Sequence, residues 1–360
     1  MVDTAIDATL AWSRNGNSAN GGGFFNAANE TDALMADTRS TLARFLGAPT
    51  ESIVLGPNMT TLTFAFTRAL ARDWNAGDRV VGTRLDHDAN VSTWRAAAED
   101  HGVEHVLAEF SPFSGRLDVE AIERHINAST KWVAVTGASN LIGTMPDLRA
   151  ITEIAHASGA RVFIDAVALA PHRCIDIAAI KCDALATSAY KWYGPHAAAL
   201  YIEPELLDQL RPYKVRPAAN FGPKQLETGT PNYEGIAGMQ AAAQFMIDHG
   251  AEMEAYETAT FAPLLEGLLS IRGVRVLGPH GLADRAPTVA FLIDGHHPDE
   301  VAKDLAAHHI AVWSGDSYAV EVAAQLGVTD TGVVRAGVVR YITPGQVDRL
   351  LDRVEYLSTH

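Results

Sequence analysis

Apolar residues in the first two thirds of the chain follow two alternating spacings. Short runs rich in valine and isoleucine predict strands, and apolar residues three and four positions apart predict helices. The predicted strands are Ser52–Leu55, Arg79–Gly82, Trp132–Thr136, Arg161–Ile164, Ala184–Thr187 and Ala198–Ile202. The predicted helices are Glu30–Phe45, Thr60–Ala71, Val91–His101, Asp118–Ile126 and Leu148–Ala157. This alternation predicts an α/β fold with a mainly parallel sheet and helices on both of its faces.

The spacing of apolar residues changes near Tyr233. A long helical pattern begins there and continues to about Leu269, with an interruption predicted near Gly250. The elements predicted after it are strands at Thr288–Ile293, Ile310–Trp313 and Val333–Val339 and helices after Pro298 and from Pro344. A chain of 360 residues suits two domains. We therefore predict a large domain at residues 15–235 and a smaller α+β C-terminal domain at residues 236–360. The helical residues 1–14 are expected to pack on the smaller domain.

Composition narrows the class of protein. A net charge of −15 disfavours binding to nucleic acid or to an anionic membrane. No apolar run approaches the roughly 20 residues that a membrane helix needs. The only cysteines, Cys174 and Cys182, are too few for a disulfide framework, and their spacing does not suit a metal. We expect a cytoplasmic enzyme without a metal ion.

The strongest chemical signal is the segment Thr187–His196, which reads TSAYKWYGPH. Its Lys191 follows an apolar strand and stands among aromatic residues, a setting that lysines avoid unless they are paired or reactive. Desolvation lowers the pKa of an amine and frees it to attack an aldehyde. A lysine that merely extends from the strand end to solvent would give the same pattern.

Asp165 favours the reactive interpretation. It ends the strand Arg161–Ile164, at the edge where α/β folds bind ligands, and precedes Lys191 by 26 residues. A buried carboxylate needs a cationic partner, and a protonated pyridine nitrogen is one. Taken alone, Asp165 could equally cap the next helix.

Six short stretches then complete the pattern. In chain order they are Leu85–Asn90 with Trp94, Ala138–Thr144, Ile164–Ala166, Ser188–Lys191, Glu227–Asn232 and Val334–Gly337. With these residues in this order, the whole chain resembles the class V aminotransferase family, most closely its cysteine-desulfurase-like branch. The resemblance implies the fold type I of transferases that depend on pyridoxal 5′-phosphate (PLP).

The resemblance assigns cofactor roles to four residues. Lys191 would hold PLP as a Schiff base, and Asp165 would pair with the pyridine nitrogen. His87 would stack on the pyridine ring and move protons, although a histidine after a strand can also be purely structural. Asn140 would bind the 3′-oxygen of the ring, with an ordinary turn asparagine as the alternative.

Phosphate and substrate would be bound by four further residues. The resemblance implies that Thr60 and Ser188 bind the phosphate, and Thr60 also opens a predicted helix whose N-terminal amides attract anions. Thr230 would reach the phosphate of the partner subunit, which implies a homodimer with shared active sites. Arg335 would clamp the substrate α-carboxylate in a bidentate pair that lysine cannot copy, unless it is an exposed arginine.

The chain departs from the desulfurase pattern at the mobile cysteine that takes sulfur from the substrate. Aligning His309–Val312 with the corresponding strand places Tyr318 at that position, where we expect it to contact the substrate. Cys174 and Cys182 lie between the strands of Asp165 and Lys191, on elements predicted to be rigid.

Three further departures affect the pocket. Ala168 stands where relatives have Gln or His, and Tyr190 replaces a common His. The extended segment that relatives carry before their first helix is not seen, so either the sequence starts late or the pocket is more open.

We therefore predict a PLP enzyme that deprotonates the Cα of an amino acid and cleaves the Cβ–S bond of cysteine or a cysteine conjugate. An aminotransferase or amino-acid epimerase on the same scaffold is one alternative. A catalytically silent PLP-binding homologue is another, although the presence of Lys191, Asp165, His87 and Arg335 speaks against it.

Overall fold

A seven-stranded sheet occupies the first two thirds of the chain in a computed structural model that describes residues 1–360. Its strands are β1 (Ile53–Gly56), β2 (Arg79–Thr83), β3 (Glu104–Ala108), β4 (Thr130–Thr136), β5 (Arg161–Asp165), β6 (Ala184–Ser188) and β7 (Ala198–Ile202). Their spatial order is β1-β7-β6-β5-β4-β2-β3, and only β7 runs against the others. The predicted mainly parallel sheet is confirmed.

Helices cover both faces of this sheet. They are α1 (Asp3–Asn15), α2 (Asn26–Leu46), α3 (Met59–Ala71), α4 (Asp88–His101), α5 (Val119–Glu123), α6 (Leu148–Ala157), α7 (Ile177–Ile180) and α8 (Pro204–Gln209). Successive residues of a strand point to opposite faces, so Trp132 and Ala134 of β4 join the core under α3 and α4. Val133 and Val135 join the core under α2 and α6.

The C-terminal third forms a second sheet of four antiparallel strands. It is built from α9 (Tyr233–Ser270), β8 (Val274–Leu277), β9 (Thr288–Ile293), α10 (Pro298–Ala307), β10 (Trp313–Gly315), α11 (Val320–Gln325), β11 (Val333–Gly337) and α12 (Pro344–Thr359). The strand order β10-β11-β9-β8 leaves β10 as an edge strand. A separate apolar core joins β9 and β11 to α10, α12 and the end of α9.

Helix α1 lies against the beginning of α9. A side chain at Gly238 of α9 would collide with Thr9 and the Ala5 carbonyl of α1. The Val2 amide also donates to the Tyr193 carbonyl, at 3.0 Å. Helix α1 therefore contacts residues on both sides of the domain boundary that we propose near residue 235.

Several predicted elements have the predicted bounds, and others need correction. The strands Ala198–Ile202 and Thr288–Ile293 and the helix Leu148–Ala157 are confirmed. Helix α9 continues through Gly250 without the predicted interruption, because tertiary packing outweighs the roughly 1 kcal/mol that a glycine costs in a helix. The strand predicted at Ile310–Trp313 is wrong, since β10 begins only at Trp313.

No helix of this fold has both the length and the apolar character required to span a bilayer.

Candidate active site

The predicted cofactor residues meet at the carboxyl edge of the large sheet. Asp165 ends β5 and Ser188 ends β6, while His87 and Asn140 stand in the connections that follow β2 and β4. Parallel strands end at the same edge, so the strand order brings these four positions together.

Lys191 stands in a single 3-10 turn, Ala189–Lys191, directly after β6. The turn is anchored by Trp192, which is fully buried and donates its indole N–H to the Thr187 hydroxyl, at 3.0 Å. Lys191 is partly exposed, and its amine lies 5.5 Å from the ring centre of Tyr190. Burial among these neighbours lowers the pKa of the Lys191 amine, Arg335 lowers it further, and Asp165 opposes the shift. The amine is accordingly a better nucleophile at neutral pH than an ordinary lysine.

The Asp165 carboxyl is almost completely buried, with 4% of the residue exposed. One of its oxygens accepts a hydrogen bond from the Val167 amide, at 2.9 Å. Burial raises the pKa of Asp165 to about 6, although this hydrogen bond and the Lys191 charge both lower it. A cation placed against this carboxylate would therefore be bound strongly.

A second buried carboxyl, Asp86, is a feature that the sequence analysis missed. It accepts hydrogen bonds from the Thr83 hydroxyl and from the Asn90 side-chain amide, the latter at 2.7 Å, and Asn90 in turn accepts from the Trp94 indole, at 3.1 Å. Burial raises the pKa of Asp86 well above its usual range, and the negative charge of Asp165 adds to this effect. Asp86 thus fixes the loop that presents His87 while leaving Asp165 as the readily ionised acid. The signal was the run Leu85–Asn90, read only as a family motif.

His87 is held in one orientation by the start of α4. Its Nδ1 accepts the Ala89 amide, at 3.0 Å, and so caps the helix and leaves the ring hydrogen on Nε2. Burial lowers the pKa of His87, and the charge of Lys191 lowers it further. A neutral ring is therefore available at pH 7 for stacking.

The N terminus of α3 meets the end of β6, so that helix amides and the Ser188 hydroxyl lie together. The Ser188 hydroxyl accepts the Met59 amide, at 3.0 Å, and Asn58 caps the helix by accepting from Thr61, at 2.8 Å. Thr60 is exposed in the first turn, one residue inside a helix that begins at Met59 rather than at the predicted Thr60. Tyr190, which was not predicted as a phosphate ligand, places its hydroxyl near Ser188 and Asp165, and burial raises its pKa.

Asn140 and Arg335 connect the site to the small sheet. Arg335 of β11 is half-buried and donates to the Asn140 carbonyl, at 3.0 Å. The Asn140 side-chain amide donates to the Ser317 carbonyl, at 2.8 Å, while its Oδ1 is buried without a partner. Burial lowers the pKa of Arg335, which nevertheless remains charged.

Tyr318 lies over the site, with its ring centre 5.7 Å from that of His87 and the two planes 23° apart. Thr230 lies elsewhere, in an exposed segment that lines a cleft of about 810 Å³ with residues 20–22 and 214–219. The segment is anchored by Glu227, which pairs with the buried Arg39 at 2.6 Å and accepts the Leu55 amide at 2.8 Å.

Neither cysteine lies on the loop of Tyr318. Cys182 is buried just before β6, and burial raises the pKa of its thiol. Cys174 is not on a rigid element as predicted, because it is exposed in the loop that precedes α7, beside Gly250 of α9.

Residues 1–350 match the family model of the class V aminotransferases, described as "Aminotransferase class-V". The chain belongs to the class V aminotransferases. It is 33% identical over 336 residues to a probable cysteine desulfurase of Xylella fastidiosa (strain 9a5c), covering 89% of this chain and 79% of that protein. It is 29% identical to a cysteine desulfurase of Serratia proteamaculans (strain 568), covering 98% and 90%. The solved apo structure of the cysteine desulfurase from Thermococcus onnurineus NA1 superposes with a TM-score of 0.93 at 27% identity, covering 99% and 91%.

These comparisons confirm the predicted family, its cysteine-desulfurase-like branch and the PLP fold type I. Class V aminotransferases are PLP-dependent enzymes, so the predicted cofactor and the enzymatic function are confirmed at the level of the family.

The residues present fit this cofactor. Lys191 would supply an amine for its aldehyde, and the buried Asp165 would supply a carboxylate for its pyridine nitrogen. The Asn140 side-chain amide has two N–H groups and uses one toward the Ser317 carbonyl, so the other is left to donate to a ring oxygen. Ser188 and the first turn of α3 offer a hydroxyl and helix amides to a phosphate.

We expect purified class V aminotransferase from this sequence to be yellow with PLP and to bleach on borohydride treatment, because the Lys191 amine forms the covalent link. Mass spectrometry of the reduced protein should find the cofactor on the Lys191 peptide. Lys191→Ala should abolish the link, whereas Lys303→Ala, at an exposed lysine of α10, should keep it. A colourless wild-type protein that PLP does not reconstitute would contradict the assignment.

Proposed function

We propose that this class V aminotransferase is a C–S lyase that acts on cysteine or a cysteine conjugate and stores no sulfur on its own chain. The observation that carries the proposal is Tyr318, because the loop that reaches His87 bears this tyrosine and no thiol. PLP, when bound, stabilises the negative charge that develops on the substrate Cα.

One cation and one basic amine support the binding and deprotonation of an amino acid. Arg335 offers its remaining guanidinium N–H groups to the α-carboxylate in a planar fork. The Lys191 amine, whose pKa is lowered by burial and by Arg335, can take up the Cα proton near neutral pH. His87, kept neutral and fixed through Nδ1, stacks on the cofactor and presents Nε2–H.

Loss of the sulfur substituent follows from the charge on Cα. The Cβ–S bond breaks, its electron pair leaves with sulfur, and the thiolate takes up a proton, for which the Tyr318 hydroxyl is the proposed donor. Hydrolysis of the remaining three-carbon enamine uses one water and gives pyruvate and ammonium. No oxidant or reductant is required.

A persulfide route requires a thiolate close to the substrate sulfur in a mobile, electropositive setting. Cys182 and Lys191 flank opposite ends of the five-residue strand β6, which separates them by about 17 Å. Cys174 faces solvent beside α9. A tyrosine hydroxyl, with a reference pKa of about 10, is a poor substitute for a thiolate.

We also propose that two subunits share their active sites. Val215 lines the cleft of Thr230, and further large apolar side chains are exposed within a few residues, along the chain, of residues that line it. These further side chains are Phe24, Phe25, Tyr213 and Phe221. Exposed apolar surface of this kind is typical of a protein interface. A partner chain covering this cleft would supply its Thr230 to the phosphate.

Product analysis tests the C–S lyase. Incubation with cysteine or a cysteine conjugate should give pyruvate, ammonium and free sulfide or thiol in equal amounts. Keto acid formation without thiol release would indicate an aminotransferase, and racemisation would indicate an epimerase. Stoichiometric persulfide on Cys174 or Cys182 by mass spectrometry, with alanine as product, would overturn the proposal and restore a desulfurase.

Replacing Arg335 with lysine should raise the KM for amino acids roughly 10- to 100-fold while PLP stays bound. Loss of one bidentate, charge-assisted contact costs about 1.5–3 kcal/mol. Arg349→Lys, at an exposed arginine of α12, is the matched control and should leave KM unchanged. Unaltered steady-state kinetics in Arg335→Lys would place this residue outside the substrate site.

Light scattering should find a homodimer, and Thr230→Ala should weaken PLP binding about tenfold or more without dissociating it. The lost hydrogen bond would run to a charged phosphate and is worth about 1.5–3 kcal/mol. Thr359→Ala, at an exposed threonine in the last turn of α12, serves as the control. A monomer that retains PLP at wild-type affinity would reject shared sites.

A further inference from the structure

The edge strand β10 places a large aromatic side chain beside the proposed carboxylate clamp. Trp313 of β10 is the direct register partner of Arg335 on β11. Opposite residues of an antiparallel pair lie on the same face of the sheet with their Cβ atoms about 5 Å apart. Trp313 is nevertheless 69% exposed. Its apolar side chain therefore lies next to Arg335 without being buried by other residues.

The loop that follows β10 carries a second exposed aromatic residue, Tyr318, five positions after Trp313 and beside His87. Ser317 and Tyr318 both have positive φ, at 53° and 60°, a conformation that residues other than glycine adopt only when their surroundings enforce it. Three hydrogen bonds enforce it here. Ser317 O accepts the Asn140 side chain and Tyr318 O accepts the Asp88 amide, both at 2.8 Å, and the Tyr318 amide donates to Asp316 at 2.9 Å.

This conformation fixes the direction of the Tyr318 ring. One face lies near His87, and the residue is 73% exposed in spite of its three backbone anchors. An exposed aromatic ring on a strained, hydrogen-bonded loop contributes nothing to the core, which points to a role toward a ligand.

We propose that Trp313 and Tyr318 form a subsite for a planar, apolar substituent on the sulfur of the substrate. The inference rests on the proposed C–S lyase and narrows its substrates to S-aryl or similar apolar conjugates of cysteine. Arg335 would hold the α-carboxylate, which leaves the far end of the amino acid to extend along the two aromatic rings.

The acidic residues near His87 also favour an uncharged, aromatic substituent. Asp88 and Asp316 both lie close enough to His87 to raise the pKa of its ring. Asp88 is paired with Arg95 at 3.6 Å, but Asp316 accepts the Tyr318 amide at 2.9 Å and would repel an anionic substituent there. An uncharged aromatic group would instead gain apolar contact with Trp313 and Tyr318.

The test compares S-phenylcysteine, cysteine and S-carboxymethylcysteine as substrates of the PLP-loaded enzyme. We expect kcat/KM for S-phenylcysteine to exceed that of the other two about tenfold or more, the gain expected from burying one aromatic face. Trp313→Ala should remove this preference mainly through KM, whereas Tyr318→Ala should remove it and also lower kcat, because Tyr318 is the proposed proton donor. Phe113→Ala, at a phenylalanine that is 93% exposed on another loop, is the matched control and should retain the preference.

A binding measurement tests this subsite independently of the proposed lyase reaction. Homophenylalanine has the shape of S-phenylcysteine but lacks the sulfur leaving group, so its spectral titration measures binding alone. Tighter binding of homophenylalanine than of alanine, lost in Trp313→Ala, would support the subsite even if no substrate released thiol, an outcome that would refute the lyase. Equal binding of the two amino acids, or a preference that survives in Trp313→Ala, would overturn the subsite whatever the reaction is.

Discussion

Asp165 is buried at the carboxyl end of β5, where one hydrogen bond and the nearby Lys191 amine only partly offset the loss of hydration. The surrounding architecture is arranged about this carboxyl. The neighbouring strands β4 and β6 lead to Asn140 and Lys191, and β2 leads to Asp86 and His87. Because Asp86 is still more strongly desolvated and hydrogen-bonded to uncharged partners, Asp165 is the acid of the two that is left to carry the charge a pyridinium requires.

Much of this arrangement can be predicted from the sequence, because a parallel sheet places the residues that follow its strands at one edge. Asp165 and Lys191 are examples, since each directly follows an apolar strand. Asp86 was missed as a site residue because its surroundings include other strands, which spacing along the chain does not reveal. Tyr190 was noted only as a departure from the family pattern, since its position near Asp165 is equally invisible in the spacing. The break predicted in α9 failed for a similar reason, since glycine propensity is local and the packing that overrides it is not.

The backbone conformation of residues Trp313–Tyr318 is another feature that local sequence does not predict. The apolar run Ile310–Trp313 predicts a strand, yet only Trp313–Gly315 pairs with β11, and Ser317 and Tyr318 then adopt left-handed backbone angles. Nothing in the residue types Ser317 and Tyr318 predicts this conformation. It is enforced by Asn140 and Asp88, which belong to a different domain in our proposed division, so the small sheet presents its aromatic residues to a site built on the large one.

The Arg335 guanidinium and the Lys191 amine also influence each other. Arg335 lowers the pKa of the Lys191 amine, which keeps that amine available as a nucleophile before a substrate arrives. A substrate carboxylate bound to Arg335 would offset the guanidinium charge and so remove part of the repulsion that an ammonium at Lys191 feels. The proton affinity of Lys191 would then rise at the stage when the Cα proton has to be accepted. With Arg335 as the carboxylate ligand that we propose, substrate binding and the base strength of Lys191 would be coupled through one electrostatic contact.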